Sequence, residues 1–414
     1  MTRRRVVVTG LGSVSSLGMT FEDTWNGVLD GRNGIGPIER FDTTDFRTTF
    51  AGMVKGYDPE AWFPHIEAKK LDIFTQYGLI SAADCLKDAG IDLTRLDPER
   101  AGCVMGTGIG GILAIEAQHL DQLERGPRRA SPHFIPKMMP NALSAQISIK
   151  HGLCGTNYVT ASACASAGHA LGLALRPIQY GEADLVLSGG AEAAVSPLSV
   201  STFGAMKALS TRNEAPELAC RPFDKDRDGF VMGEGAATLL LEEREHALKR
   251  GAKIYAEFKG FGATSDAFHI TQPKEDGVGP RRAMELALRD GGTDPGTVQY
   301  VNAHGTSTHY NDLVESKAIR QVFGPQADKL AVSSTKSMIG HLLGGSAAVE
   351  ASVTVKSIAE GRIHPTRNHQ SPGEGCDLDY VPGEAREWSI QNAISNSLGF
   401  GGHNVCLLFG KHDG

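Results

Sequence analysis

The sequence predicts an α/β fold made of two repeated halves. Apolar strands alternate with helix-periodic segments, and glycine, at 50 of 414 residues, is abundant enough to serve many tight strand-to-helix turns. Strand-and-turn phrases also recur in the same order along the chain. A chain of this length exceeds the usual single core, which favours two domains or two intimately packed halves.

The first strand is read at residues 5–15, where Arg5-Val-Val-Val-Thr-Gly10-Leu-Gly12 is an apolar run entering a glycine turn. Residues 256–265, with Gly260-Phe-Gly262 followed by small and hydroxyl-bearing residues, repeat that phrase. A second pair follows in the same order: residues 102–108 in the first half and 300–306 in the second, each a short apolar strand ending in a glycine turn. Small residues then open a helix in each half, at Ala161-Ser-Ala-Cys164-Ala-Ser-Ala-Gly-His169 and at Gly344-Gly-Ser-Ala-Ala-Val-Glu350. Leu171, Leu175 and Ile178 recur at helical spacing, as do Val349, Val353, Val355 and Ile358, so both helices are expected to be buried. Further strands are read at 184–190 and 236–242, and as a pair at 392–396 and 405–409 joined by Gly399-Phe-Gly-Gly402. The alternation implies a largely parallel sheet in each half, the halves spanning 1–252 and 253–412.

Hydrophobic residues at 41% and charged residues at 21% are globular values. A net charge of −7 argues against a nucleic-acid or anionic-membrane face, although local basic patches remain open. The seven cysteines are scattered without a C-x-x-C pair and are read as reduced thiols of a cytoplasmic protein. Near the N-terminus only Val6 to Val8 form an apolar run, far short of a signal peptide or membrane span, so no membrane insertion is expected.

Cys164 is the first candidate for chemistry. At a helix N-terminus, exposed N–H groups and the helix dipole are expected to lower its thiol pKa, and small neighbours would let a thioester approach. The same segment also reads as a small core cysteine. His304 and His341 stand at strand-to-helix turns, which in α/β sheets face the ligand crevice, and either alone is more often structural. No H-x-x-x-H or C-x-x-C spacing occurs, so no metal site is expected. The run Asp224-Lys-Asp226-Arg-Asp228-Gly229 copies the start of a calcium loop, but its twelfth position is Gly235 where a bidentate glutamate is needed. Gly106-Thr-Gly-Ile-Gly-Gly111 lacks the G-x-G-x-x-G spacing of a dinucleotide loop.

Taken together, Ala163-Cys164-Ala-Ser166, Asn302-Ala-His304-Gly-Thr306-Ser-Thr308, Ser334-Thr-Lys336-Ser-Met-Ile-Gly-His341 and Asn396-Ser-Leu-Gly-Phe400-Gly-Gly-His-Asn404 resemble the condensing enzymes of the thiolase-like fold. Among those they resemble the elongating β-ketoacyl-[acyl-carrier-protein] synthases, over essentially the whole chain and in the family's order. The shorter phrases at 209–212, 221–224, 227–230 and 233–235 match as well. The resemblance implies two duplicated αβαβαββ halves forming a five-layered αβαβα core.

The resemblance also implies decarboxylative condensation of an acyl group with malonyl-carrier protein. Cys164 would carry the acyl group, with the N–H groups of Cys164 and Phe400 as oxyanion hole and Gly399, Gly401 and Gly402 giving the loop its reach. His304 and His341 would stabilise the enolate, and Lys336 and Glu350 would orient His341 and its loop or form a plain ion pair. Thr306 and Thr308 would bind pantetheine, and Phe230 and Glu350 fall among the implied substrate-binding residues. Ile109 would close the far end of the acyl pocket, which points to the type II enzyme rather than type I.

The Cys–His–His set differs from that of thiolases, which use a second cysteine, and from initiating synthases, which use asparagine. A polyketide ketosynthase and a non-catalytic polyketide partner subunit are the alternatives kept open. His309, where the family usually has proline, and Leu398, where phenylalanine is common, depart from the pattern. Substrates would arrive on the phosphopantetheine of acyl carrier protein, with no cofactor of the enzyme's own. Candidate docking residues for that acidic partner are Lys69, Lys70, Arg128, Arg129, Lys207 and Arg212. The resemblance further implies a homodimer.

Overall fold

The computed structural model describes residues 3–413. Ten strands form one hydrogen-bonded sheet: β1 (Val6–Val14), β2 (Ala101–Gly106), β3 (Asn157–Thr160), β4 (Leu185–Glu192), β5 (Gly235–Glu243), β6 (Ala256–Ser265), β7 (Val298–Asn302), β8 (Ala331–Ser333), β9 (Asn392–Gly399) and β10 (His403–Gly410). Their order across the sheet is β8-β7-β9-β10-β6-β1-β5-β4-β2-β3. Reading outward from the centre, the first half runs β1-β5-β4-β2-β3 and the second β6-β10-β9-β7-β8, the same path traced twice. The halves meet where β1 pairs with β6 over only Val7↔Glu257 and Val8↔Ala256.

Each half is mixed rather than largely parallel. β2 pairs in parallel with β3 and β4, whereas β5 is antiparallel to both β1 and β4. The second half repeats this, with β7 parallel to β8 and β9 but β10 antiparallel to β9 and β6. The sequence reading allowed for crossover helices between strands. The glycine turn read between β9 and β10 closes an antiparallel hairpin, whereas nothing local marks β1 returning against a strand far along the chain.

The principal helices are α1 (Ile73–Ala89), α2 (Ala142–His151), α3 (Ser166–Gln179), α4 (Val278–Asp290), α5 (His309–Phe323), α6 (Lys336–Ile339) and α7 (Ser346–Glu360). α1 starts where the Asp72 carboxylate accepts the Phe74 N–H and stops at Gly90 in the left-handed region. α1 packs on β1, β5 and β4 to form one outer layer, and α4 packs on β6 and β10 to form the other. α3 and α7 lie against each other and against strands of both halves, making the central layer of five. This position explains their composition: every residue of α7 from Ser346 to Ile358 is buried, and Leu171, Leu175 and Ile178 of α3 have no exposed surface. Small Ala, Ser and Val side chains let a helix be enclosed on all sides.

Candidate active site

The loops that leave the carboxyl ends of β2, β3, β7 and β8 converge, and the β9–β10 hairpin closes over them. In the loop after β3, Ala163 sits at φ 49, a left-handed conformation held by hydrogen bonds on both sides. The Ser162 N–H donates to Ser166 Oγ at 2.9 Å, and that hydroxyl donates to the Ala163 carbonyl at 2.7 Å. The turn delivers Cys164 just before the first residue of α3, in an apolar surround that includes Phe230, Met232 and Leu343.

His304 follows β7, and His341 follows α6. The Cys164 thiol and the two imidazoles bring ligand-type atoms within 4.8 Å of one another. Sequence spacing gave no sign of a metal-competent cluster, because its members come from three loops far apart in the chain. The hydrogen bonding around them suits a different use. The Leu343 N–H donates to His341 Nδ1 at 3.2 Å, and the Ser346 hydroxyl lies 2.8 Å from the same nitrogen. Lys336 Nζ lies 3.2 Å from His304 Nδ1 and donates to the His304 carbonyl at 2.7 Å, while ion-paired with Glu350.

With Nδ1 accepting in both rings, each neutral imidazole carries its proton on Nε2. Burial and the Lys336 charge hold both well below the usual histidine pKa, His341 also acting on His304. The pair thus offers two neutral N–H donors beside a thiol.

The thiol itself corrects the sequence expectation. Its pKa is not lowered but pushed up to about 11 by burial, which outweighs the opposing pull of Lys336 and of the Phe400 and Cys164 N–H groups. Both N–H groups therefore lie close to the sulfur. The hairpin reaches it because Gly399 has no side chain: a Cβ there would stand 2.9 Å from the Ser162 carbonyl oxygen and 3.2 Å from the Cys164 nitrogen.

A cavity of about 430 Å³ opens over this centre. Ile109, Cys164, Phe230, His304, Thr306, Thr308, His341, Gly399 and Phe400 all line it, as do the two departures from the family pattern, His309 and Leu398. The Thr306 and Thr308 hydroxyls lie 2.9 Å apart. Three expected residues are not on the wall. Glu350 is buried behind His304 as the partner of Lys336, so it is no substrate-binding group, and Lys336 bonds His304 rather than the His341 it was expected to orient. Gly401, at φ 87, shapes the hairpin, its N–H donating to the Ile270 carbonyl at 2.6 Å.

Of the candidate docking residues, Lys207 lines the cavity. Lys69, Lys70, Arg128 and Arg129 are exposed away from the wall, and Arg212 donates to the Asp226 carbonyl. The calcium-loop look-alike is dismantled in space. Asp224 accepts from Arg221 and from the N–H groups of Asp226, Gln370 and Ser371, whereas Asp228 accepts from Ser210.

Three structural supports escaped the sequence reading. Glu315 accepts the His304 and Gly305 N–H groups at 2.8 Å each, and burial pushes its pKa up to about 7. Glu192 braces the loop after β2, and Arg227 holds the Thr308 and His309 carbonyls. Arg227 opens the family phrase at 227–230, and Glu192 ends an apolar strand, but neither cue marks what the side chain holds.

Residues 3–247 match the family model described as beta-ketoacyl synthase, N-terminal domain, and residues 255–370 that described as beta-ketoacyl synthase, C-terminal domain. A Synechocystis protein named 3-oxoacyl-[acyl-carrier-protein] synthase 2 is 49% identical over 412 residues, covering 100% of this chain and 99% of its own. A Vibrio cholerae protein of the same name is 49% identical over 411 residues, covering 99% of each chain.

Among solved structures, a beta-ketoacyl synthase from Burkholderia phymatum superposes with a TM-score of 0.92 at 37% identity, covering 99% of this chain and 100% of the other. The ishigamide ketosynthase/chain length factor gives 0.93 at 36%, with the same coverage. A type II PKS acyl-carrier protein in complex with its ketosynthase bound to the hexaketide gives 0.93 at 34%, again covering 99% and 100%. No helix among the described residues is long and apolar enough to cross a membrane.

Proposed function

The chain belongs to the β-ketoacyl synthase family, and from that premise we propose that it elongates fatty acyl chains as a type II 3-oxoacyl-[acyl-carrier-protein] synthase. The observation that carries the proposal is one thiol beside two neutral imidazoles, with the Cys164 and Phe400 N–H groups near the sulfur. In the first step the Cys164 sulfur attacks the thioester of acyl-carrier protein. The carbonyl electrons collect on oxygen beside the Cys164 and Phe400 N–H groups, and collapse expels the carrier thiolate, which takes up the proton lost by Cys164.

Malonyl-carrier protein then enters, its pantetheine lying along Thr306 and Thr308. Its C–C bond breaks to release CO₂, and the electron pair becomes an enolate whose oxygen accepts from His304 and His341 Nε2–H. The enolate carbon attacks acyl-Cys164. The 3-oxoacyl chain leaves on the carrier, and the cysteine thiolate takes one proton from solvent. Lys336 and Glu350 are positioning residues here, fixing the His304 tautomer from behind.

The duplicated strand path supports reading the chain as halves 1–252 and 253–412, the first supplying Cys164 and the second both histidines. The acyl end of the cavity is assigned to Ile109 and Phe230, and Phe400 stands at its mouth. Acyl carrier protein is the proposed partner, with Lys207 at the cavity guiding its acidic surface. Carrier-bound thioesters leave no step that calls for a cofactor. Seven unpaired cysteines fit a cytoplasmic enzyme.

A second copy is proposed along the outer edge of β3. That edge is unpaired, Tyr158 on it is exposed, and exposed Leu120, Leu123, Ile135 and Ile149 lie on the neighbouring helical segments.

The full chain, given malonyl-carrier protein and acyl-carrier proteins of increasing length, is expected to yield 3-oxoacyl products two carbons longer. No product at any length would contradict the reading. Products longer than one round of extension would favour the polyketide alternative.

A further inference from the structure

Glu192 ends β4 with no exposed surface, and its carboxylate is filled by donors from two separate loops. Oε1 accepts from Thr107 Oγ1 at 2.9 Å and from the Ile109 N–H at 3.2 Å. Oε2 accepts from the Gly108 N–H at 2.7 Å and from the Gly344 N–H at 2.9 Å. The first three donors belong to the loop that carries Ile109 into the cavity. The fourth belongs to the turn before α7, whose preceding residue, Leu343, donates its N–H to His341 Nδ1.

The two loops touch directly at this carboxylate. A Cβ on Gly344 would stand 2.1 Å from the Gly108 nitrogen and 2.7 Å from Glu192 Oε2, and one on Gly108 would stand 2.9 Å from the same oxygen. The turn has little slack of its own, since Leu343 is held at φ 46. A shift of the Ile109 loop therefore reaches the His341 turn through a buried carboxylate and the Gly108–Gly344 contact beside it.

We propose that Glu192 is a positioning residue that ties the wall of the acyl pocket to the turn orienting His341, so that pocket occupancy and enolate stabilisation are coupled. The inference rests on the function proposed above. It predicts that a change confined to the pocket side is felt at the decarboxylation step, although it touches neither imidazole.

The test uses the full-length enzyme with two substitutions. Glu192→Gln keeps the shape but turns one acceptor into a donor facing N–H groups. Thr107→Val removes only the hydroxyl on the pocket side and guards against a Glu192 variant that fails to fold. Two ratios are read, neither of which depends on how much enzyme is folded. One is kcat/KM for long against short acyl-carrier-protein donors, and the other is the rate of malonyl decarboxylation per acylated Cys164.

Both ratios are expected to fall in both variants, by about tenfold in Glu192→Gln, the effect of losing hydrogen bonds to a buried charge. Unchanged ratios would overturn the role of Glu192. So would a Thr107→Val enzyme whose length preference moves while its decarboxylation stays at the wild-type rate. Wild-type enzyme that forms no 3-oxoacyl product would instead overturn the proposed function, and the inference with it.

Discussion

At Cys164 two effects of position oppose each other, and burial prevails. The helix terminus, Lys336 and two N–H groups favour the thiolate, yet the pKa still rises from 9.0 to about 11. That rise corresponds to about 3 kcal/mol against ionisation. The resting enzyme therefore holds a thiol, and its proton leaves only as a thioester is attacked. Alkylation of Cys164 by iodoacetamide is expected to accelerate about tenfold per pH unit from pH 7 to 10, because the reactive thiolate grows in that proportion below its pKa. A plateau reached by pH 8 would contradict the raised value.

Residue identity at this site was legible in sequence, but its electrostatics were not. Ala163-Cys164-Ala-Ser166 marks the turn, whereas the apolar cover from Phe230, Met232 and Leu343 arrives from segments far along the chain. The histidines show the same limit. Their motifs identify them, but their tautomers depend on Leu343 and Lys336 lying behind the rings.

Among the elements, the β9–β10 hairpin bears most directly on chemistry. It hangs the Phe400 N–H over the thiol only because Gly399 presses against the turn that carries Cys164. Gly399→Ala is expected to lift the hairpin and reduce Cys164 acylation by about 100-fold, the usual cost of losing one oxyanion donor. Steady-state transfer from acyl-carrier protein measures this, and a loss below about threefold would show that Phe400 N–H contributes little. The hairpin was readable from Gly399-Phe-Gly-Gly402 between apolar runs. The antiparallel returns of β5 and β10 were not, since strand direction across long sequence separations leaves no local signal. Glu350 was rightly paired with Lys336, but its burial away from the cavity wall, which removes it from substrate, had no local signal.

Across the whole molecule, duplication divides the labour. The first half contributes the turn that holds Cys164 and the Ile109 loop, and the second contributes both imidazoles, from equivalent loops after β7 and β8. The repeat itself was legible in the paired strand-and-glycine phrases. The seam at β1 and β6, and the enclosure of α3 and α7 between the halves, emerged only in three dimensions.

This division makes the two half-reactions separable, and measuring them in His304→Ala and His341→Ala enzymes tests the central claim most directly. Intact-protein mass after acyl-carrier protein reports acylation of Cys164, and CO₂ release from malonyl-carrier protein reports decarboxylation. Acylation is expected to survive within about tenfold, while CO₂ release falls at least about 100-fold through loss of an enolate donor. Equal loss of both steps, or CO₂ release that persists in both variants, would contradict the account.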